Sequence, residues 1–257
     1  MLNYLKSELY RVFHSSGIYL FIGICSLLVL AMNLILWGFN LKTENFYYAN
    51  IDFSFSMLTS DMNIVLFLTA ALASIITVDE FKFRTINNSI AFGISRIKIY
   101  ISKILVALLA SLLCLVIVEG VLIGSGYLLL DSSNSHALTE LLIGTAACIP
   151  SFIASLIAFI SLYLILNNMT SSIWTWIGII VAFPTITSLL GIKIKFFDWL
   201  SSWLIFNIVG ASTLDENQML IYMWSSAKGM QHCLLAGFLG IVIFLIFGIL
   251  TFRKKEI

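Results

Sequence analysis

Long apolar runs alternate with shorter polar stretches along the 257-residue chain. Six of the runs reach the length of about 20 residues that a helix needs to cross the hydrocarbon core of a bilayer. We place these predicted spans at roughly 17–39, 56–78, 104–130, 138–166, 172–192 and 233–252. A spanning segment must satisfy its own backbone hydrogen bonds, as a helix does. The pattern therefore predicts an all-α membrane protein with six transmembrane helices.

The composition supports this class and leaves no room for a second domain. Hydrophobic residues make up 60% of the chain and charged residues 11%, and the mean hydropathy is +1.04. Soluble domains carry about 25% charged residues. We expect a single transmembrane domain over residues 1–257. The first apolar run is longer than the apolar core of a signal peptide, about 7–15 residues, which predicts a retained helix.

The basic residues predict the orientation of the chain. If both termini are cytoplasmic, the inner segments hold ten of the 14 Lys and Arg residues and the outer segments hold Lys42, Lys193, Lys195 and Lys228. An excess of Lys and Arg on the cytoplasmic side is the usual bias of membrane proteins. We therefore expect both termini and the segment between spans two and three to be cytoplasmic.

The first residues have the spacing of an amphipathic helix. Apolar residues recur at helical intervals from Leu2 to Phe13, and Lys6, Glu8 and Arg11 fall on the opposite face. This pattern is typical of a helix lying in the membrane surface. A simple helical extension of the first span is the alternative, and Gly17 is the joint expected in the first case.

A 25-residue polar segment, which we call the elbow (residues 79–103), separates spans two and three. It contains seven charged residues, and its amide- and glycine-containing centre resembles a turn region. From Ser95 the sequence predicts a helix that continues into the third span. Apolar residues mixed with charge favour docking into a groove of a soluble partner, and a helix held at the surface by anionic lipid is the alternative.

The elbow resembles the corresponding region of permeases of the type-2 ABC exporter family. The matching positions are Glu80, Arg84, Thr85, Asn87, Gly93, Ser95, Arg96, Tyr100 and Lys103. The likeness is strongest over about 79–106, and Arg84 stands where the family commonly has Gly. Over the whole chain the resemblance extends to six spans, two inner ends and a long last outer loop. Small permeases of this kind are linked to peptide and lantibiotic export or immunity.

The resemblance implies a division of labour between this chain and a partner. The elbow would be a coupling helix bound by a cytoplasmic ABC ATPase subunit, present in two copies, with a second identical or related permease chain completing the path. The residues implied in the coupling are Glu80, Phe81, Lys82, Phe83, Arg84, Thr85, Asn87, Gly93 and Arg96. No G-x-x-x-x-G-K-[ST] loop occurs in the chain, so we expect ATP and Mg²⁺ to be bound by the partner and no cofactor by this chain.

We do not expect an enzyme. Asp79, Glu80 and Arg84 resemble the acidic motif of CAAX-type intramembrane proteases, which also need histidines nearby. By the predicted topology His136 and His232 lie on the other side of the membrane, and no H-E-x-x-H pair exists. The four cysteines lack metal-ligand spacing and fit a packing role, so neither a disulfide nor a metal site is predicted.

Glu119 is the only formal charge between Ile104 and Leu130, half-way along the third predicted span. An ionised side chain there costs about 2.5–3.5 kcal/mol on insertion scales, and such residues usually face protein or water. Two interpretations stay open. Glu119 lines the substrate path or a contact between two permease copies, or it is a protonated side chain bonded to a Ser, Thr or Asn of a neighbouring helix.

The stretch Phe196–Gly210 in the last outer loop is apolar and aromatic but too short to span the bilayer. We expect one re-entrant or interfacial helix with Trp199, Trp203 and Phe206 on one face. The resemblance implies an outer gate at this place, and a plain aromatic membrane anchor is the alternative.

Two functions follow as hypotheses. The first is the transmembrane subunit of an ATP-driven exporter in a cell membrane, most simply a bacterial plasma membrane. Its cargo would be an amphipathic peptide, such as an antimicrobial peptide or peptide toxin, although a lipid or hydrophobic drug would leave the same sequence pattern. The second is a membrane scaffold or sensor that docks a cytoplasmic protein without transport. No nucleic acid is expected as a partner.

Overall fold

The structure is a computed structural model, and it describes residues 2–43, 46–82, 90–131, 136–214 and 220–254. Almost all of these residues are helical. The helices are α1 Leu2–Phe13, α2 Ser16–Lys42, α3 Ile51–Ser60, α4 Asn63–Lys82, α5 Arg96–Leu129, α6 His136–Leu166, α7 Met169–Ile177, α8 Phe183–Gly191, α9 Lys195–Ser201, α10 Ile205–Val209 and α11 Ala227–Lys254. A π-helical turn, Gly178–Ala182, joins α7 to α8, and a short antiparallel hairpin, β1 Ser212–Leu214 with β2 Leu220–Tyr222, precedes a 3₁₀ turn and α11.

Five stretches of the described chain are long and apolar enough to cross a bilayer. They are α2, α5, α6, the run Met169–Gly191 and α11. The prediction of an all-α membrane protein is confirmed, and each of these five predicted spans coincides with a helix.

The second predicted span, 56–78, differs from the structure. It is two helices, α3 and α4, bent by 66° at Asp61 and Met62, and it counts as a sixth span only if the pair is taken together. The break falls in a polar stretch, residues 59–63, where the hydroxyl of Ser60 is hydrogen-bonded to that of Tyr222 rather than within the helix. Thr59 donates to the carbonyl of Phe55 immediately before the bend.

Helix α6 is the centre of the bundle. Within its most apolar stretch 78% of the residues are buried, against 17% in α2 and 28% in both α5 and α11. Helix α11 packs along it most extensively, and Gly237 permits the close approach, because a Cβ there would lie 2.6 Å from Cβ of Pro150. The large uncovered areas of α2, α5 and α11 are the faces available to lipid or to a partner chain.

A buried polar cluster fixes α2 and α3 against α5. The amide of Asn33 donates to Oγ of Ser125 at 2.7 Å and accepts from Oγ of Ser54 at 2.6 Å. All three side chains are buried. Such interhelical bonds are worth about 0.6–2 kcal/mol each in membranes. They set the register of the three helices relative to one another.

The first helix is separate from the first span. Helix α1 ends at Phe13, Ser15 has an extended backbone, and α2 begins at Ser16. A continuous helical extension of the span is therefore wrong. The joint lies at His14 and Ser15 rather than at Gly17, which sits in the first turn of α2, where a Cβ would lie 3.1 Å from Ile75.

The aromatic segment after α8 also differs from its prediction. It forms two short helices, α9 and α10, instead of one helix over Phe196–Gly210. The break falls at residues 202–204, where the hydroxyls of Ser201 and Ser202 donate back to the carbonyls of Asp198 and Trp199. The three aromatic residues therefore do not share one continuous helical face.

Candidate functional site

The structure describes the two ends of the elbow. Glu80, Phe81 and Lys82 lie in the last turn of α4, and their side chains are outside the described part of the chain. Phe83, Arg84, Thr85 and Asn87 lie outside the described residues altogether. Their predicted role in coupling stays a prediction.

Gly93 has a positive φ of 83°, in a turn whose N–H donates to the carbonyl of Ile90. An added Cβ would meet no neighbouring atom, so the backbone conformation alone favours glycine at this position. The turn directs the chain into Ser95, which has an extended backbone, and then into α5.

The first turns of α5 are bonded to α6 and α11. The Tyr100 hydroxyl lies 2.8 Å from Oγ of Ser161 in α6 and donates to the carbonyl of Phe244 in α11 at 3.4 Å. Arg96 donates to the carbonyl of Arg253, near the end of α11, also at 3.4 Å. These contacts place the C-terminal end of α11 and the exit of the elbow at the same end of the bundle.

Helix α1 contacts the other side of the elbow. Arg11 donates from both terminal nitrogens to the carbonyl of Ile76, each at 3.2 Å, and its Nη2 lies 2.8 Å from Oε2 of Glu8. Ile76 is three residues before the elbow begins. Helix α1 also packs against α5, whose Lys103 is almost completely buried at 1% exposure.

Electrostatic attraction stabilises the contact between α1 and α5. Burial raises the pKa of Glu8, but the positive charges of Lys103 and Arg11 outweigh that effect and hold the pKa below its ordinary value. Glu8 is therefore an ionised carboxylate in direct contact with the guanidinium of Arg11. The sequence pattern places Glu8 and Arg11 on an exposed polar face, whereas both side chains bind the bundle. The sign of this pairing in the sequence is the i, i+3 spacing of Glu8 and Arg11, which brings two side chains together on one helix face.

Glu119 accepts a hydrogen bond from the hydroxyl of Thr145 in α6. The predicted bond to a neighbouring Ser, Thr or Asn is thus present. Glu119 is half-buried and also lines a small groove of about 60 Å³ between α2, α3, α4, α5 and α6. The structure therefore joins features of both interpretations, since the carboxyl is bonded within the chain and faces a groove.

Trp199 and Trp203 line a second, larger groove of about 550 Å³. Its other walls come from the π-helical turn, from Phe183 and Pro184 in α8, and from the middle of α11. Phe206 is half-buried on α10 and is not part of its lining. Two of the three predicted gate residues are thus brought together. π-Helical turns occur frequently at functional sites.

His232 at the start of α11 contacts the backbone at the break between α9 and α10. Its Nε2 lies 2.7 Å from the carbonyl of Ser202, and its ring centroid lies 4.3 Å from that of Trp203. This contact could not be predicted from the local sequence pattern, because the two residues are 30 positions apart along the chain.

Metal chemistry finds no support in the residues that the structure describes. No group of three or more His, Cys, Asp or Glu side chains there could hold an ion. The four cysteines, Cys25, Cys114, Cys148 and Cys233, are free and buried.

A protein-family model matches the chain. The family model described as "Multidrug efflux system permease Rv1217c, C-terminal domain" matches residues 48–245, which is more than half of the chain. No curated protein matches the sequence. The matched region contains the elbow, Glu119 and the tryptophan-lined groove.

Proposed function

The chain belongs to the family of the multidrug efflux system permease Rv1217c, C-terminal domain, and on this premise we propose that it is the transmembrane subunit of an ATP-driven exporter. It is a multi-pass protein of the cell membrane. The observation that carries the proposal is the attachment of both ends of the elbow. The turn of α4 just before the elbow is bonded to α1 through Ile76 and Arg11, and the end of the elbow is bonded to α6 through Tyr100 and Ser161.

Coupling to a separate ATPase is the first part of the proposal. A partner that moves the elbow would act on α4 and α5 together, because both helices are continuous with it. Helix α5 would pass the movement to α6 and α11 through its hydrogen bonds at Tyr100 and Arg96. Basic residues interleaved with phenylalanines give the elbow both charge and apolar surface for a groove on the partner.

A second permease chain is the expected neighbour within the membrane. Helix α6 is covered by its own chain, whereas α2, α5 and α11 each leave most of their apolar stretches uncovered. Two chains paired on part of this surface, each with one ATPase subunit, would form the complete exporter. Family membership among permeases favours transport over the non-transporting scaffold.

Co-purification tests the coupling. We expect an ATP-hydrolysing protein to co-purify with the chain in mild detergent. Its hydrolysis rate should fall when Phe81 or Arg84 is replaced by Glu. The first change replaces an apolar side chain by a charged one, and the second reverses the charge. Lys193→Glu, at the opposite end of the bundle, is the matched control and should leave the rate unchanged. Equal rates in all variants would refute coupling through the elbow.

The cargo is proposed to be amphipathic. A peptide entering from the bilayer suits the aromatic segment after α8, and a drug-sized hydrophobic compound is the second candidate. The family description, which names multidrug efflux, favours the second. So does the groove lined by Trp199 and Trp203, whose volume of about 550 Å³ lies within the range of about 300–1,000 Å³ typical of small-molecule sites.

Survival assays separate the two cargoes. Cells that express the chain with its ATPase are exposed to a panel of cationic antimicrobial peptides and to a panel of hydrophobic drugs. Protection against peptides alone would support the first cargo, and protection against drugs alone the second. Protection against neither would refute an amphipathic cargo.

A further inference from the structure

We infer that the groove lined by Trp199 and Trp203 is a binding site for an uncharged, flat aromatic compound of drug size. The site would hold the cargo of the exporter proposed above, so its physiological meaning rests on that proposal. Helix α11 forms one side of the groove, the π-helical turn and α8 form the second, and α9 and α10 form the third. Its volume of about 550 Å³ suits a molecule of this size.

The lining of the groove disfavours a charged ligand. Among the described residues that line it, none is ionisable and none carries a side-chain hydroxyl, amide or carboxyl group. The polar side-chain atoms there are the indole nitrogens of Trp199 and Trp203, and an indole N–H acts only as a donor. A charge moved from water into an apolar site has a desolvation cost that nothing in this lining offsets. The groove therefore fits an uncharged ligand whose polar atoms are hydrogen-bond acceptors.

Aromatic side chains favour a flat ring system over a lipid tail. Phe183 from α8, Phe244 from α11 and the two tryptophans all contribute to the lining. Aromatic rings pair in offset-stacked or edge-to-face arrangements, which stabilise a complex beyond the burial of apolar area. An acyl chain of the bilayer cannot form such pairs. An aromatic compound therefore gains more from this lining than the lipid tails with which it competes.

The walls of the groove are fixed by contacts within the chain. The ring of Trp203 lies 4.3 Å from that of His232, centroid to centroid, and His232 is hydrogen-bonded to the main chain at the break between α9 and α10. The amide of Asn207 donates to the carbonyls of Pro184 at 3.1 Å and of Ser201 at 3.2 Å, which ties α10 to α8 and α9. A site that is already ordered loses less conformational entropy when it binds a ligand.

The groove is accessible from the side of the bundle. Trp199, Leu239 and Ile243 along its rim are each more than half exposed. Ala236 and Ile205 lie at its base and are buried. A hydrophobic compound dissolved in the bilayer therefore reaches the groove without passing through water.

Binding of two matched dyes tests the inference without any ATPase. The probes are N-phenylnaphthylamine, which is uncharged, and anilinonaphthalene sulfonate, which has the same ring skeleton with one negative charge. Both fluoresce more strongly in an apolar site. The purified chain is placed in phosphatidylcholine nanodiscs, and the signal of discs without protein is subtracted. We expect saturable binding of the uncharged dye and none of the anion.

Trp199→Ala should bind the uncharged dye about 2- to 10-fold more weakly, the change expected for loss of one aromatic pair. Trp174→Ala is the matched control, because Trp174 is an exposed tryptophan on α7 that does not line the groove. It should bind the dye like the wild type.

A second variant keeps the test decisive if Trp199→Ala does not fold. Ile243→Trp places a larger side chain in the groove and should weaken binding of the uncharged dye, whereas Ile246→Trp, exposed on the same helix outside the lining, should not. No saturable binding by the wild type would indicate that lipid tails fill the groove and would overturn the inference. So would equal affinities of the wild type, Trp199→Ala and Ile243→Trp, or equal affinities of the wild type for the two dyes. A failure of ATPase coupling would leave these binding results unaffected.

Discussion

Arg11 donates from both terminal nitrogens of its guanidinium to the main-chain carbonyl oxygen of Ile76, at 3.2 Å in each case. One residue of the first helix thereby holds the last turns of α4, just before the elbow. The same side chain contacts Glu8, which is electrostatically paired with Lys103 of α5. Helix α1 thus bridges the two helices that enter and leave the elbow.

Replacement of Arg11 by Gln should loosen this bridge. A hydrogen bond from a charged donor contributes about 1.5–3 kcal/mol, and the partial exposure of Arg11 places the expected loss in unfolding free energy near the lower limit. Thermal unfolding in detergent measures the change. Lys6→Gln, exposed on the same helix, is the control and should have no effect. Equal midpoints for the two variants would show that the bridge adds no stability.

The pH dependence of stability should report Glu8. Its pKa in the folded chain lies below the ordinary value of 4.5, because Lys103 and Arg11 outweigh the effect of burial. A carboxyl group of this kind stabilises the fold at pH values above its unfolded pKa, and that stability is lost as the pH falls through the folded pKa. We therefore expect the unfolding midpoint to fall on acidification below about pH 4.5.

The variant Glu8→Gln tests whether Glu8 causes the loss of stability at acid pH. Its stability should be lower than that of the wild type at pH 7 and should change less between pH 7 and about pH 3, because the titrating carboxyl is gone. Glu140→Gln should keep the slope of the wild type. Identical pH profiles for Glu8→Gln and wild type would contradict the assigned electrostatic pairing.

Gly248 should tolerate no side chain. A Cβ at this position would overlap the Tyr100 hydroxyl and come within 2.5 Å of Oγ of Ser161, the pair that bonds α5 to α6. We expect Gly248→Ala to lower the free energy of unfolding by about 1–3 kcal/mol, the usual cost of overpacking. Gly120→Ala has no atom within 4 Å of its Cβ and should be neutral or stabilising. A neutral Gly248→Ala would show that the three helices are not closely packed there.

Single-cysteine labelling should establish the sidedness of the elbow. The four native cysteines are buried, so a membrane-impermeant thiol reagent will report an introduced cysteine. Phe92 is 87% exposed next to Gly93. Phe92→Cys should be labelled in inverted vesicles and protected in intact cells, and Lys193→Cys, at the other end of the bundle, should show the reverse. Labelling of Phe92→Cys in intact cells would reverse the predicted orientation.

Much of the fold follows from hydropathy, because each spanning helix must satisfy its own backbone in lipid. The bend at Asp61 and Met62 was not predicted in this way, because hydropathy averaged over a whole span hides the short polar stretch of residues 59–63. The break between α9 and α10 depends on a contact from His232, which is remote in sequence. Local periodicity cannot reveal such contacts.

The candidate site was predictable to a smaller extent. Glu119 is conspicuous as a lone charge in an apolar run, and the structure supplies its partner, Thr145, from another helix. The roles of Arg96, Tyr100 and Lys103 in attaching α5 to three other helices require the packed bundle. The polar face of α1 was predicted from its sequence pattern, and the structure shows that Glu8 and Arg11 on this face contact protein.

Reconstituted transport tests the central claim most directly. The purified chain is placed in proteoliposomes with and without its co-purifying ATP-hydrolysing subunit, and the ATP-dependent accumulation of a fluorescent hydrophobic drug is measured. The account predicts accumulation only when both proteins and ATP are present, and its loss in Arg84→Glu. Accumulation by the chain alone, or transport by Arg84→Glu at the wild-type rate, would contradict it.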